Sequence, residues 1–288
     1  MTRKALIPIF ASCLMVAALG SGLWAKDALS GRSTGFAPRR IVSVNLCADQ
    51  LVLALADRSQ IAGLTRNAAD REMSAEADRA RGLPLLSSSA EHILGIDPDL
   101  VVGMPASRSA ALSALKGHHN RTLDLKSTDR LADIYDAIRE VGRAVGHPER
   151  GRAMIAAMER NLVGLQKSGR GRVAAYYQRR GYMTGTGTLV DDLMQRVGLT
   201  NLAAKLGKPA LAQVSLEEMV AARPDFLIVE SATDAVTDQG SEMLHHPALR
   251  NIPRISIPQA WTVCGSAAYA RAAHSMSAQI ARFDAQQH

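Results

Sequence analysis

Apolar and polar positions follow one plan twice in this chain of 288 residues. The first copy runs Glu91-His92-Ile93-Leu94-Gly95-Ile96-Asp97-Pro98-Asp99-Leu100-Val101-Val102. The second runs Glu217-Glu218-Met219-Val220-Ala221-Ala222-Arg223-Pro224-Asp225-Phe226-Leu227-Ile228-Val229. Each reads as a short amphipathic helix led by a carboxylate. Proline stops it, because its ring disfavours helical geometry in the residue before it. An apolar run follows at once and reads as a buried strand. The offset from Glu to Pro is the same in both copies, which predicts two similar α/β halves with a cleft between them.

The rest of the chain fits that plan. Ile41 to Val44 is a buried strand, the turn from Asn45 to Ala48 follows, and Asp49 to Ala56 is a helix. Ile61 to Thr65 is a second strand, and Arg66 to Ala80 is polar loop with a helical piece. After the first copy come a helix from Ser107 to Lys116 and a weak strand from Arg121 to Leu125. Ser127 and Thr128 cap a helix from Asp129 to Val145. Pro148 starts another, running to about Lys167, whose length makes it a stiff connection and not a hinge.

In the second half, Arg172 to Tyr177 is a strand, Gln178 to Gly187 a Gly/Thr-rich loop, and Thr188 the cap of a helix from Leu189 to Val197. Beyond the second copy lie the strand Arg254 to Ile257, the loop Pro258 to Gly265 and a last helix to about Phe283. Strands alternating with helices predict parallel sheets with right-handed crossovers, and ligands on such sheets sit beyond the carboxyl ends of the strands.

Composition narrows the class. Hydrophobic residues make up 47% and charged residues 21%, as in a globular protein. Lys and Arg are scattered and form no run interleaved with aromatics, which excludes a nucleic-acid-binding reading. Thr2-Arg3-Lys4 followed by the apolar stretch Ala5 to Leu19 makes residues 1–25 a signal peptide, cut after Gly20 or after Ala25. Only a short apolar stretch precedes Cys13 and the run continues past it, which argues against lipid anchoring. Loss of Arg3 and Lys4 lowers the net charge from +7 to +5. Two cysteines, Cys47 and Cys264, then remain in an oxidising compartment.

From Arg40 to Phe283 the chain resembles the periplasmic binding proteins of iron-siderophore, haem and cobalamin ABC importers. The resemblance rests on Arg40-Ile41-Val42-Ser43-Val44, the doubled Glu…Pro-Asp phrase, the mid-chain helix and the loop Thr184-Gly185-Thr186-Gly187-Thr188-Leu189. It implies two Rossmann-like α/β lobes with parallel sheets, joined by one long rigid α-helix, with the ligand cleft between them. The lobes would span residues 38–147 and 169–288, with the connecting helix at 148–168. It further implies a monomer that captures a ferric siderophore, haem or cobalamin. The guest would be delivered to an inner-membrane permease dimer with its ATPase, and no intrinsic cofactor would be needed. In that family one glutamate on each lobe contacts basic residues of the permease, and by position these would be Glu91 and Glu217. A carboxylate at a helix start is also favoured by the helix dipole alone, by roughly 0.3–1 kcal/mol. The dipole explains each Glu singly but not their equivalent placement.

The expected ligand contacts are Cys47, Arg66, Arg108, Tyr182, Trp261 and Cys264. Trp261 offers a flat face to a macrocycle or catecholate, against the plainer reading of a core Trp. Tyr182 is similar. Arg66 and Arg108 fall in loops beside the cleft and suit an anionic chelate, since guanidinium pairs bidentately with carboxylates. Each is otherwise a solvated surface charge. For the two cysteines three readings stand open: unreactive small residues, a disulfide that would clamp the lobes, or soft ligands or a reactive pair facing the guest. His118 and His119 fall at the wrong end of the sheet for the cleft. The competing function is a cysteine-dependent or metal-binding periplasmic enzyme on the same scaffold. No Gly-rich phosphate loop and no nucleophile with an evident partner His favours it.

Overall fold

The computed structural model describes residues 37–86, 90–103, 121–236 and 238–287. The leader, Arg108, the helix expected at 107–116, His118 and His119 lie outside them.

In the first lobe the elements are β1 (Ile41–Ser43), α1 (Leu46–Leu55), β2 (Ile61–Gly63), α2 (Ala90–Ile96), β3 (Leu100–Gly103) and β4 (Arg121–Asp124). The four strands are parallel in the order β2-β1-β3-β4, with Ile41 opposite Leu100 and Val42 opposite Val101. Ile41, Val42, Val101 and Val102 are wholly buried, as an apolar run in a parallel sheet covered on both faces requires. Helix α1 begins earlier than the sequence pattern predicts. The Asn45 side chain accepts the Ala48 N–H and draws Cys47 into the first turn.

Helices α3 (Leu131–Ala144) and α4 (Pro148–Leu162) lead out of this lobe. A Cβ on Gly151 would stand 3.1 Å from the Ile138 carbonyl oxygen, so glycine lets the two helices close together. Proline opens α4, where a missing N–H costs nothing. The helix stops at Leu162, short of the expected Lys167, and Gly164 at φ +75° turns the chain away.

The second lobe comprises β5 (Val173–Tyr177), β6 (Tyr182–Thr184), α5 (Leu189–Arg196), β7 (Thr200–Asn201), β8 (Leu211–Gln213), α6 (Leu216–Ala222), β9 (Phe226–Glu230), β10 (Arg254–Ile257) and α7 (Ala268–Gln286). Its sheet order is β10-β9-β5-β6-β8, with β7 also on β5. Strands β9 and β7 run parallel to β5, and β10 parallel to β9, whereas β6 is antiparallel to both β5 and β8. The Gly/Thr-rich loop therefore contains a strand. Only a tight turn separates β5 from β6, too short for a parallel crossover. Arg180 at φ +59° and Gly181 at φ +77° make that turn.

Both copies of the repeated phrase fold alike. Asp97 and Arg223, each before its proline, take left-handed φ values of 52° and 45°. Left-handed geometry in a non-glycine residue costs roughly 1–2 kcal/mol, tolerated here because the chain must leave the helix and enter a central strand. The largest apolar core runs through both lobes, from Ile41 and Leu55 through Ile138 and Ile155 to Tyr176, Ile228 and Tyr269. Packing along the connecting helices thus makes the lobes one body.

Candidate functional site

Strand register sets the face of each cleft residue. Tyr176 pairs with Thr184 and with Ile228, so Tyr176, Gln178, Thr184, Ile228 and Glu230 share one face of the second sheet. Tyr177 points to the other face, where its hydroxyl donates to the Val214 carbonyl at 3.0 Å. Beyond the carboxyl ends of β5 and β9 that first face opens into a cavity of about 270 Å³. The second lobe supplies Tyr176, Gln178, Thr184, Thr188, Glu230, Gln259 and Thr262, and the first lobe adds Cys47, Ser127, Thr128 and Asp129.

The lining is a hydrogen-bonded network. Gln178 Nε2 donates to Glu230 Oε1 at 3.0 Å, and Thr184 Oγ1 donates to Gln178 Oε1 at 3.2 Å. The hydroxyls of Tyr176 and Thr262 are 3.2 Å apart. Burial, and then the charge of Glu230, push the Tyr176 phenol far above its ordinary range, so it stays a neutral hydrogen-bonding group. Thr188 caps α5, its hydroxyl accepting the Asp191 N–H at 3.3 Å.

Ser127 and Thr128 do not cap a helix as expected. Helix α3 starts at Leu131, and the Asp133 carboxylate accepts the Asp129 and Arg130 N–H groups instead. Thr128 is thereby released to the cleft, where its Oγ1 accepts the Gly265 N–H at 3.2 Å, one lobe bonded to the other.

Cys47 and Cys264 are joined as a disulfide, with Cα atoms 5.2 Å apart. Of the three readings left open by the sequence, the structure takes the bridge. This excludes the reading of soft metal ligands or a reactive thiol pair, since a bonded pair offers no thiolate. Both still line the cavity, which remains open beside the bond. Among the described residues no cluster of three or more His, Cys, Asp or Glu is placed to hold a metal ion.

The other expected contacts scatter. Arg66 lies exposed in the turn after β2 and does not line the cavity. Trp261 is half-buried beside the cavity and not in its lining, with the Arg271 guanidinium 5.3 Å from its ring centroid. Tyr182 stands opposite Gln178 on the cleft face but one strand further out and exposed, paired on its other side with Gln213 of β8. Sequence reasoning missed Gln178, Thr184, Glu230 and Asp129. One signal was available for Glu230, a carboxylate closing the otherwise apolar run Phe226-Leu227-Ile228-Val229.

Glu91 and Glu217 both sit exposed in the first turn of a helix, α2 and α6, that feeds a central strand. Its own backbone N–H and the Ser215 hydroxyl hold the Glu217 carboxyl below the usual carboxylate range. Neighbouring Glu218 is taken up by Lys208, 2.7 Å away.

Two α/β lobes, a helical connection and an interlobe cavity lined from both sides define a two-lobed solute-binding fold. The chain belongs to the periplasmic binding protein family, which matches residues 41–255. Among solved structures, the periplasmic heme-binding protein RhuT from Roseiflexus sp. RS-1 is similar with a TM-score of 0.67 and 23% identity, covering 84% of this chain and 97% of that one. The periplasmic vitamin B12 binding protein BtuF of Vibrio cholerae has a TM-score of 0.65 and 17% identity, over 88% and 100% of the chains. The ABC-type Fe3+-hydroxamate transport system protein from Saccharomonospora viridis has 0.64 and 20%, over 84% and 93%. Among curated protein sequences none matches the chain. Among the described residues no helix is long and apolar enough to cross a membrane.

Proposed function

We propose that the protein is exported to the periplasm, captures a metal chelate in the interlobe cleft and delivers it to the permease of an ABC importer. The observation that carries this reading is the cavity itself. Both lobes line it at the carboxyl ends of the second lobe's strands, in a chain of the periplasmic binding protein family. Haem, vitamin B12 and ferric hydroxamate appear in the names of proteins with this fold, which supports a chelate of that kind as the guest. Glu91 and Glu217, exposed at equivalent places on the two lobes, are the docking carboxylates in this reading, each meeting a basic residue of a two-fold permease face. An enzymatic role is disfavoured, because the cysteines it would use are bonded to each other.

The test is direct. Protein purified from its native host is examined by native mass spectrometry and visible absorbance, then titrated calorimetrically with ferric siderophores, haemin and cyanocobalamin. A bound chelate, or saturable uptake of one, is expected. Protein that is folded, carries none and takes up none would overturn the reading.

A further inference from the structure

Glu230 closes a strand whose other residues are almost wholly buried, and it is itself only 6% exposed. A carboxylate in such a place is costly unless its oxygens are met by donors. Its neighbours are held for that purpose: Gln178 Nε2 donates to it at 3.0 Å, and Gln178 is fixed in turn by the Thr184 hydroxyl. The Tyr176 hydroxyl stands beside it, backed by Thr262. These neighbours are all neutral. No ion-pair partner of Glu230 is present among the described residues, and no Lys, Arg or His among them lines the cavity. Among the described residues the one other charged side chain in that lining is also acidic, Asp129 from the first lobe, whose Oδ1 accepts the Ser127 hydroxyl at 2.7 Å. Of the two arginines expected to answer an anionic guest, Arg66 stands outside the lining and Arg108 lies outside the described residues.

We infer that the cleft selects a chelate whose buried end is neutral or cationic and presents N–H or O–H donors, and that Glu230 sets this preference. The inference rests on the chelate-capture reading above and differs from the anionic guest that Arg66 and Arg108 would suit. A buried carboxylate met by neutral donors discriminates by repulsion as much as by attraction. A catecholate complex or a haem carboxylate brought beside it meets a like charge where water cannot screen it. A carboxamide, amine or hydroxyl donor instead completes the network that Gln178 and Tyr176 begin.

The test uses the mature chain at pH 7 and four probes. Ferrioxamine B is a cationic ferric trihydroxamate, and cyanocobalamin is a corrinoid with no net charge. Ferric enterobactin is a polyanionic catecholate complex, and haemin carries two carboxylates. Dissociation constants are measured by calorimetry for the natural sequence, for Glu230→Gln and for Asp129→Asn, with near-ultraviolet circular dichroism confirming each fold. The cationic or the neutral probe should bind at least about tenfold more tightly than either anion, and Glu230→Gln should narrow that gap by about tenfold. Asp129→Asn, an exposed change that leaves packing intact, should narrow it in the same direction but less. Tightest binding of an anionic probe, or a gap unchanged in both folded variants, overturns the inference and leaves chelate capture standing. Failure of all four probes to bind the natural sequence overturns both.

Discussion

Asp99 and Asp225 hold the same place in the two lobes. The Asp99 carboxylate accepts the N–H groups of Arg39 and Arg40 at 2.7 and 3.0 Å, just ahead of β1. Asp225 Oδ2 accepts the N–H of Val173, the first residue of β5, at 2.7 Å. Their backbone N–H groups return the bond, to the Arg40 carbonyl at 3.1 Å and the Val173 carbonyl at 2.8 Å. The aspartate after each proline therefore clips the start of its lobe's first strand to the strand beside it. Asp99→Ala and Asp225→Ala should each cost about 1–2 kcal/mol, since a backbone donor loses a charged acceptor. Urea unfolding measures this, and a midpoint that does not move in either variant would show the clip to be idle.

The Cys47–Cys264 bond closes a loop with a sequence separation of 217. In the chain-entropy account a loop of that size removes about 5 kcal/mol of unfolded-state freedom, and native disulfides commonly deliver about 2–5 kcal/mol. Cys47→Ser with Cys264→Ser should lower the urea midpoint accordingly, and dithiothreitol should do the same to the natural sequence. If reduction leaves the midpoint in place, the bond does not form in solution.

Asp49 supplies a pH dependence. It is fully buried in the first turn of α1, where Thr65 donates its N–H to Oδ1 at 3.1 Å and its hydroxyl to Oδ2. Burial pushes its carboxyl up from 3.8 to about 6, and the bonds from Thr65 and Ser43 only partly oppose that. The folded state therefore holds a proton that the unfolded chain releases. The resulting stability is fully present below pH 3.8 and is lost as pH rises through about 6. The difference is of order 3 kcal/mol. Asp49→Asn cannot lose the proton, so its stability relative to the natural sequence should rise by about that much between pH 4 and pH 8. A difference independent of pH, measured by urea unfolding at both ends, would refute the assignment.

Reversing the two proposed docking carboxylates separates capture from delivery. Glu91→Lys with Glu217→Lys should abolish uptake of the guest by whole cells while leaving its dissociation constant within about twofold, because both side chains are exposed on helices away from the cavity lining. Uptake that persists in the double variant removes these two residues from the permease contact.

The two-lobed plan was legible because it is written in periodicity. The phrase from Glu91 to Val102 and its second copy each carry a helix, a proline stop and a buried strand, and these are local rules acting over a dozen residues. The helix opened by Pro148 was legible for the same reason, though its end was misplaced because Gly164 turns at positive φ sooner than the pattern breaks. The hairpin in the Gly/Thr loop was not, because β6 is three residues long and exists by pairing with β5 and β8.

The chain alone thus settled the class of fold and the equivalence of Glu91 with Glu217, both properties of neighbours in sequence. Tertiary structure decided the chemistry of the cleft. It joined Cys47 to Cys264, turned Tyr176 inward and Tyr177 away, and left Arg66 outside the cavity lining. It also brought Glu230 to Gln178 and set Asp129 in the same cavity. Those residues meet across the chain through strand register and lobe packing, and such long-range contacts leave no periodic trace in the sequence.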